Sequence, residues 1–191
     1  MHYFLSVGGT IAVLIVALIL VIVFWYIGIM NKLRQLELKV HEAESGIDVA
    51  LTKRYDLLTK LLDTTKGYAK HEAETLEKIV KWRGGMPDNA SLEDKEEFTK
   101  QMNDVSTGIN VVVEQYPDLK ANTVFKELQA AVTNTEEHLQ AARRLYNANV
   151  THINHVIVTF PQSIVANAIH METKSYFEAE EKKRQDVSMK F

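Results

Sequence analysis

Residues 122–160 read NTVFKELQAAVTNTEEHLQAARRLYNANVTHINHVIVTF. Phe125, Leu128, Val132, Thr135, Leu139, Ala142, Tyr146, Asn149, Ile153, Val156 and Phe160 follow one another at alternating steps of three and four residues. That period keeps one stripe of a helix facing a partner helix, whereas a strand needs alternation every second residue. Asn122 stands just ahead of the run, and its short side chain suits an N-cap. A helix of this length extends on the order of 60 Å, so the domain around it is expected to be elongated.

The same period spreads outward from this stretch. Pro87, Pro117 and Pro161, with Gly84-Gly85 beside the first, divide the chain after residue 30 into segments 31–83, 91–116, 122–160 and 163–191. The first segment carries Leu33, Leu36, Val40, Ala43, Ile47, Ala50, Arg54, Leu57, Leu61, Thr64 and Tyr68, widened by Leu51, Tyr55, Leu58 and Leu62. The second carries Phe98, Met102, Val105, Ile109, Val112 and Tyr116. Val111-Val112-Val113 is too short for a strand and lies inside the second helical pattern. The expected fold is all-α: one N-terminal transmembrane helix, then an elongated antiparallel bundle of three long helices plus a shorter C-terminal helical segment. Residues 1–6 form a short tail, 7–30 the membrane helix and 31–191 the bundle.

The membrane helix follows from where charge is missing. All 22 Lys and Arg and all 25 Asp and Glu lie beyond residue 31, and 24 of the first 30 residues are apolar. The span from Ile11 through Leu20 to Met30 is long enough to cross the roughly 30 Å hydrocarbon core. Phe24-Trp25-Tyr26 suits the headgroup boundary near its end. A cleaved signal peptide would carry a basic start, a shorter apolar run and a small-residue cleavage site, and the sequence offers none of these. Lys32, Arg34 and Lys39 follow the span while no Lys or Arg precedes it. The positive-inside bias therefore expects a single-pass protein of a plasma (inner) membrane, with its N-terminus outside and the helical domain in the cytoplasm. The absence of cysteine excludes a disulfide-built secreted module. A net charge of −3 and a pI near 6.2 argue against a nucleic-acid partner.

Ile47-Asp48-Val49-x-Leu51-x-Lys53-Arg54-Tyr55-Asp56-Leu57-Leu58 resembles the signature of the LemA family, and Lys66-Gly67-Tyr68-Ala69-Lys70-His71-Glu72 continues it. Tyr116-Pro117-Asp118-Leu119-Lys120-Ala121, Ala142-Arg143-Arg144-x-Tyr146-Asn147, Phe160-Pro161-x-Ser163-Ile164-Val165-Ala166 and Tyr176-Phe177-Glu178-Ala179-Glu180-Glu181 resemble the later blocks, in the family's order. The chain departs from the family at Thr59-Lys60, where Pro-Asn is usual, at Lys81-Trp82-Arg83, where Ala-Arg is common, and in its ending Val187-Ser188-Met189-Lys190-Phe191. The resemblance implies a bacterial, membrane-anchored helical bundle and little chemistry.

Several residues invite a functional reading. Asp48, Lys53, Arg54 and Asp56 form a charged cluster, and Arg54 falls on the apolar seam, where an unpaired guanidinium is costly. An Arg54–carboxylate pair fixing helix register is the plainer reading, and a charged contact to another chain the functional one. Gly67, beside Tyr68, interrupts a strong helix and marks a bend or close approach. Ile164, Val165, Ala168 and Ile169 make a short stripe that either caps the bundle or docks onto another copy or lipid headgroups. Lys182-Lys183-Arg184 reads as a solvated helix end. His152 and His155 lie three residues apart without further ligands close by, so no metal site is expected. No phosphate-binding glycine loop, HExxH, GxSxG or CxxC occurs, and no cofactor, small-molecule substrate or catalytic group is expected. The sequence therefore points to a non-catalytic membrane protein that self-associates into a homo-oligomeric scaffold. The alternative is a membrane-anchored adaptor or regulator, bound to a membrane-protein partner in envelope stress or membrane-protein quality control.

Overall fold

The computed structural model describes residues 2–66 and 90–177. Gly67, Tyr68, Gly84-Gly85, Pro87 and Lys182-Lys183-Arg184 lie outside the described residues. Five helices are described: α1 (His2–Lys66), α2 (Leu92–Gln115), α3 (Pro117–Ala121), α4 (Thr123–Val158) and α5 (Gln162–Ala168). No strand occurs among the described residues, and the protein is an all-α helical bundle with a long N-terminal apolar helix.

The helix ends follow local chemistry. Ser91 and Asp94 form a capping box at the start of α2: the Asp94 N–H donates to Ser91 Oγ at 3.1 Å, and the Ser91 N–H donates to the Asp94 carboxylate at 2.9 Å. Those bonds, the Ser91 hydroxyl first, hold the Asp94 carboxyl below its ordinary value. Pro117 occupies the first turn of α3, where its missing N–H costs nothing. Asn122 caps α4 by accepting the Phe125 N–H at 3.1 Å. At the end of α5 the Met171 N–H reaches the Ala166 carbonyl and the His170 N–H reaches that of Asn167, with His170 at φ 52°. This Schellman turn stops the C-terminal helical segment at seven residues, and 171–177 continue without helix.

The chain divides into two compact units. One comprises residues 1–41 and 148–175. Its interior consists of Leu33, Leu36 and Val40 from α1, Val150, Ile153, Val156 and Ile157 from α4, and Val165 and Ala166 from α5. Asn149 Nδ2 donates to the Lys39 carbonyl at 3.1 Å. Asn154 pairs with both backbone groups of Lys174 at 2.8 Å, and the Lys174 ammonium reaches Glu37 at 3.1 Å. Advancing along α4 from 149 to 154 thus retreats along α1 from 39 to 37, and the two helices run antiparallel. The Lys174 hydrogen bond is the main reason that the Glu37 carboxyl sits below its ordinary value, against the opposing effect of burial.

The other unit comprises residues 42–147 and 176–191. Ile47, Leu51, Leu58 and Leu61 of α1 meet Phe98, Met102 and Ile109 of α2 and Phe125, Leu139 and Tyr146 of α4, all buried. The rings of Tyr55 and Phe98 lie 5.8 Å apart, tilted by 39°. Three helices cannot all oppose one another. Here α1 and α2 share a direction, since Glu44 and Asp48 meet Lys95 while Arg54 meets Asn103, and α4 opposes both.

The α4 seam is buried at Phe125, Val132, Thr135, Leu139, Tyr146, Ile153 and Val156 and half-buried at Leu128, Ala142 and Asn149, and its last member departs from the pattern. Phe160 is 76% exposed, because the helix ends at Val158 and the chain turns before completing the next seam position.

Candidate functional site

Within the second unit, three cations are threaded between α1, α2 and α4. Arg54 projects from the α1 seam and is 3% exposed. Its Nη2 donates to Asn103 Oδ1 at 2.6 Å, and its Nη1 lies 2.8 Å from Glu136 Oε2 of α4, a close ion pair off the hydrogen-bond axis. Lys95 of α2 is equally buried, with its ammonium 2.8 Å from both Glu44 Oε1 and Asp48 Oδ1 of α1. Arg143 of α4 donates through Nη2 to Thr99 Oγ1 at 2.7 Å, and its guanidinium stacks 4.5 Å from the centre of the Phe177 ring. Thr99 is buried and donates its own hydroxyl to the Lys95 carbonyl. Asn147 Oδ1 accepts the Phe177 N–H, and its Nδ2 donates to the Phe177 carbonyl.

Electrostatics follows the geometry. Burial, the largest single influence on Lys95, disfavours its charge, but its contacts with the Asp48 and Glu44 carboxylates outweigh it and hold the ammonium above its ordinary value. Tyr146 is raised by burial first and by the Glu44 charge second. Each cation is matched by a carboxylate or by neutral acceptors from a different helix. Such groups fix which turn of one helix faces which turn of the next. Among the described residues no three His, Cys, Asp or Glu side chains gather to hold a metal ion. At the α2–α3–α4 end an open depression of about 340 Å³ is lined by Asn110, Glu114, Lys120, Phe125, Lys126 and Gln129. Its ion pair, Lys120–Glu114 at 2.9 Å, is well solvated.

The residues singled out in the sequence divide accordingly. Asp48 and Arg54 enter the ladder of buried cations, whereas Lys53 and Asp56 are exposed on α1 and take no part. Val165 is buried, Ile169 half-buried and Ile164 exposed, while His152 and His155 are exposed. Ile11 and Leu20 are half exposed or more, and Met30 is partly covered. Among the described residues α1 is the one helix long and apolar enough to cross a membrane, and none of them buries its most apolar stretch.

Sequence reasoning missed Lys95, and a signal was available. Stepping back three residues from Phe98 on the 3/4 seam lands on Lys95, as the α1 seam lands on Arg54. Thr99 and Asn103 follow at four-residue intervals on the adjoining stripe.

Comparison with known proteins agrees with this anatomy. The LemA family profile matches residues 43–191. The chain is 31% identical over 165 residues to Protein LemA of Metamycoplasma hominis, a match covering 86% of this chain and 75% of that protein. With most of the chain matched, from the charged turns of α1 onward, it belongs to the LemA family.

Proposed function

We propose that this LemA-family chain is a non-catalytic, single-pass scaffold of the bacterial plasma membrane, which associates with copies of itself and holds its helical domain on the cytoplasmic side. The observation that carries this reading is α1, a helix with an uncovered apolar section that also carries Arg54, Glu44 and Asp48 into ion pairs with the helices packed on it. Beyond the span, Leu38 and Val49 of α1 stand 67% and 66% exposed, single apolar side chains open to a second copy. Lys32, Arg34 and Lys39 support the cytoplasmic placement.

Light scattering on the purified full-length protein in mild detergent, corrected for bound detergent, tests the self-association. A mass above the protomer is expected, with Leu38→Ser/Val49→Ser reducing it. A strict monomer at every concentration would sink the scaffold, and one dominant foreign crosslink in cells would favour an adaptor instead.

A further inference from the structure

The turn joining α4 to α5 combines features that a solvated corner would not need. Val158, Phe160 and Ile164 are 66%, 76% and 55% exposed, although Ile157, Val165 and Ala166 already supply the unit's interior from the same stretch. No Asp, Glu, Lys or Arg occurs between Arg144 and Glu172, in a chain otherwise densely charged after residue 31.

Register places this corner along α1. Asn149 lies beside Lys39, and the helices are antiparallel. Advancing eleven residues to Phe160 covers about 16 Å of helix rise, and retreating by the same distance on α1 reaches Gly28. Phe160 is then level with the last turn of the apolar span, next to the Phe24-Trp25-Tyr26 aromatics. Exposure on α1 changes at this level: Val23 and Phe24 are exposed, whereas Tyr26, Ile29 and Met30 are partly covered.

Part of the turn's backbone is already satisfied within the protein, as a backbone segment in an apolar setting must be. The N–H groups of Thr159, Ser163 and Ile164 donate internally to His155, Thr159 and Pro161 carbonyls, and Pro161 has no N–H to satisfy. The Thr159 hydroxyl is spent on the His155 carbonyl at 2.6 Å.

We propose that the α4–α5 corner is a second membrane contact, with Val158, Phe160 and Ile164 seated in the headgroup–acyl boundary of the bilayer that α1 crosses. The proposal rests on the membrane-anchored reading of α1 and adds that the domain docks on the lipid surface instead of hanging from a stalk. Apolar side chains at the interface then supply a hold that resists tilting of the bundle about its anchor.

The chain contains no cysteine, so single spin labels can be placed cleanly. Full-length Leu20→Cys, Leu145→Cys, Phe160→Cys and Ile164→Cys would be labelled and reconstituted in phosphatidylcholine–phosphatidylglycerol vesicles. Collision with oxygen, which enters lipid, is compared with collision with a water-soluble nickel chelate. Leu145, exposed on α4 well away from the corner, reports the aqueous limit, and Leu20 reports the lipid limit. Labels at 160 and 164 are expected to lose nickel access and keep oxygen access, as at Leu20. Nickel access at 160 and 164 equal to that at Leu145, with Leu20 still shielded, overturns the corner and leaves the anchor standing. Nickel access at Leu20 overturns the anchor itself. Labels at 160 and 164 shielded from both reagents would mean that protein, such as a second copy, covers the corner, and would overturn the lipid contact.

Discussion

Replacing Lys95 with Met keeps most of the aliphatic stem and removes the ammonium that Glu44 and Asp48 share. Each carboxylate oxygen lies 2.8 Å from Nζ, and the Lys95 side chain is 4% exposed. At an effective dielectric near 20, a contact of that length is worth about 6 kcal/mol of attraction, most of which offsets the cost of burying the charges. Losing one partner of a buried pair typically costs about 3–5 kcal/mol. Here the carboxylates are 27% and 39% exposed and regain water, which lowers the expected loss. With that discount for solvent, about 2–3 kcal/mol remains. For a chain of this size that corresponds to a fall in Tm of about 6–9 °C, read by circular dichroism on the full-length protein in detergent. Lys120→Met removes an ion pair of similar length whose side chains are 58% and 70% exposed. It should change stability by less than about 0.5 kcal/mol. The pH dependence has a definite sign. The folded state raises the Lys95 value, so the contribution is full below the unfolded value near 10.4 and is lost as pH climbs through the folded one. Wild-type and Lys95→Met melting curves should therefore differ at neutral pH and converge only at strongly alkaline pH. Equal melting temperatures at pH 7, or an equal loss in Lys120→Met, would refute the claim that this ammonium is a buried tie between α1 and α2.

Arg54→Ala should destabilise by about 3 kcal/mol, since it removes the cation that faces Glu136 and Asn103 and leaves a void, whereas Arg54→Leu should recover much of that loss through packing. Equal loss in both variants would show that the ion pair itself, not the space it fills, supplies the stability. Orientation is read by impermeant maleimide on intact cells: His2→Cys should react and Glu137→Cys should not, and the reverse pattern would place the helical domain outside the cytoplasm.

The sequence was most legible where one residue type repeats at one period. Most of the α4 seam from Phe125 to Val156 could be read from the sequence, with Leu128, Ala142 and Asn149 only half-buried, because burial there requires only an apolar or small side chain every third or fourth residue. The Asn122 cap was legible for a similar reason, since a single short acceptor next to an apolar run has few other uses. The ladder of buried cations was harder. Arg54 could be seen to need a carboxylate, but Glu136 lies far along the chain, and nothing local distinguishes it from Glu137 beside it. The end of α4 was misjudged by one step because the 3/4 pattern runs through Phe160, while the break is made by Pro161 one residue later. The halt of α5 at Ala168 was hidden more deeply, since it depends on His170 adopting a left-handed conformation that residues other than glycine seldom take.

The ladder also accounts for something that the apolar seam leaves open. A stripe with a strict 3/4 repeat looks nearly the same after a slip of seven residues, so apolar packing alone would hold α1 against α2 and α4 in more than one register. A slip of seven residues on α1 would bring Leu61 or Ile47 to the place of Arg54, and would carry the guanidinium about 10 Å along the helix from both Asn103 and Glu136. The same slip would take Lys95 out of reach of Glu44 and Asp48 together. When Leu61 takes the place of Arg54, Leu51 and Tyr55 take those of Glu44 and Asp48, and both buried cations lose their partners. When Ile47 does, Glu37 and His41 arrive opposite Lys95, and Arg54 alone carries the penalty. Arg54 and Lys95 thus favour one register of α1 against α2 and α4 over its seven-residue slips.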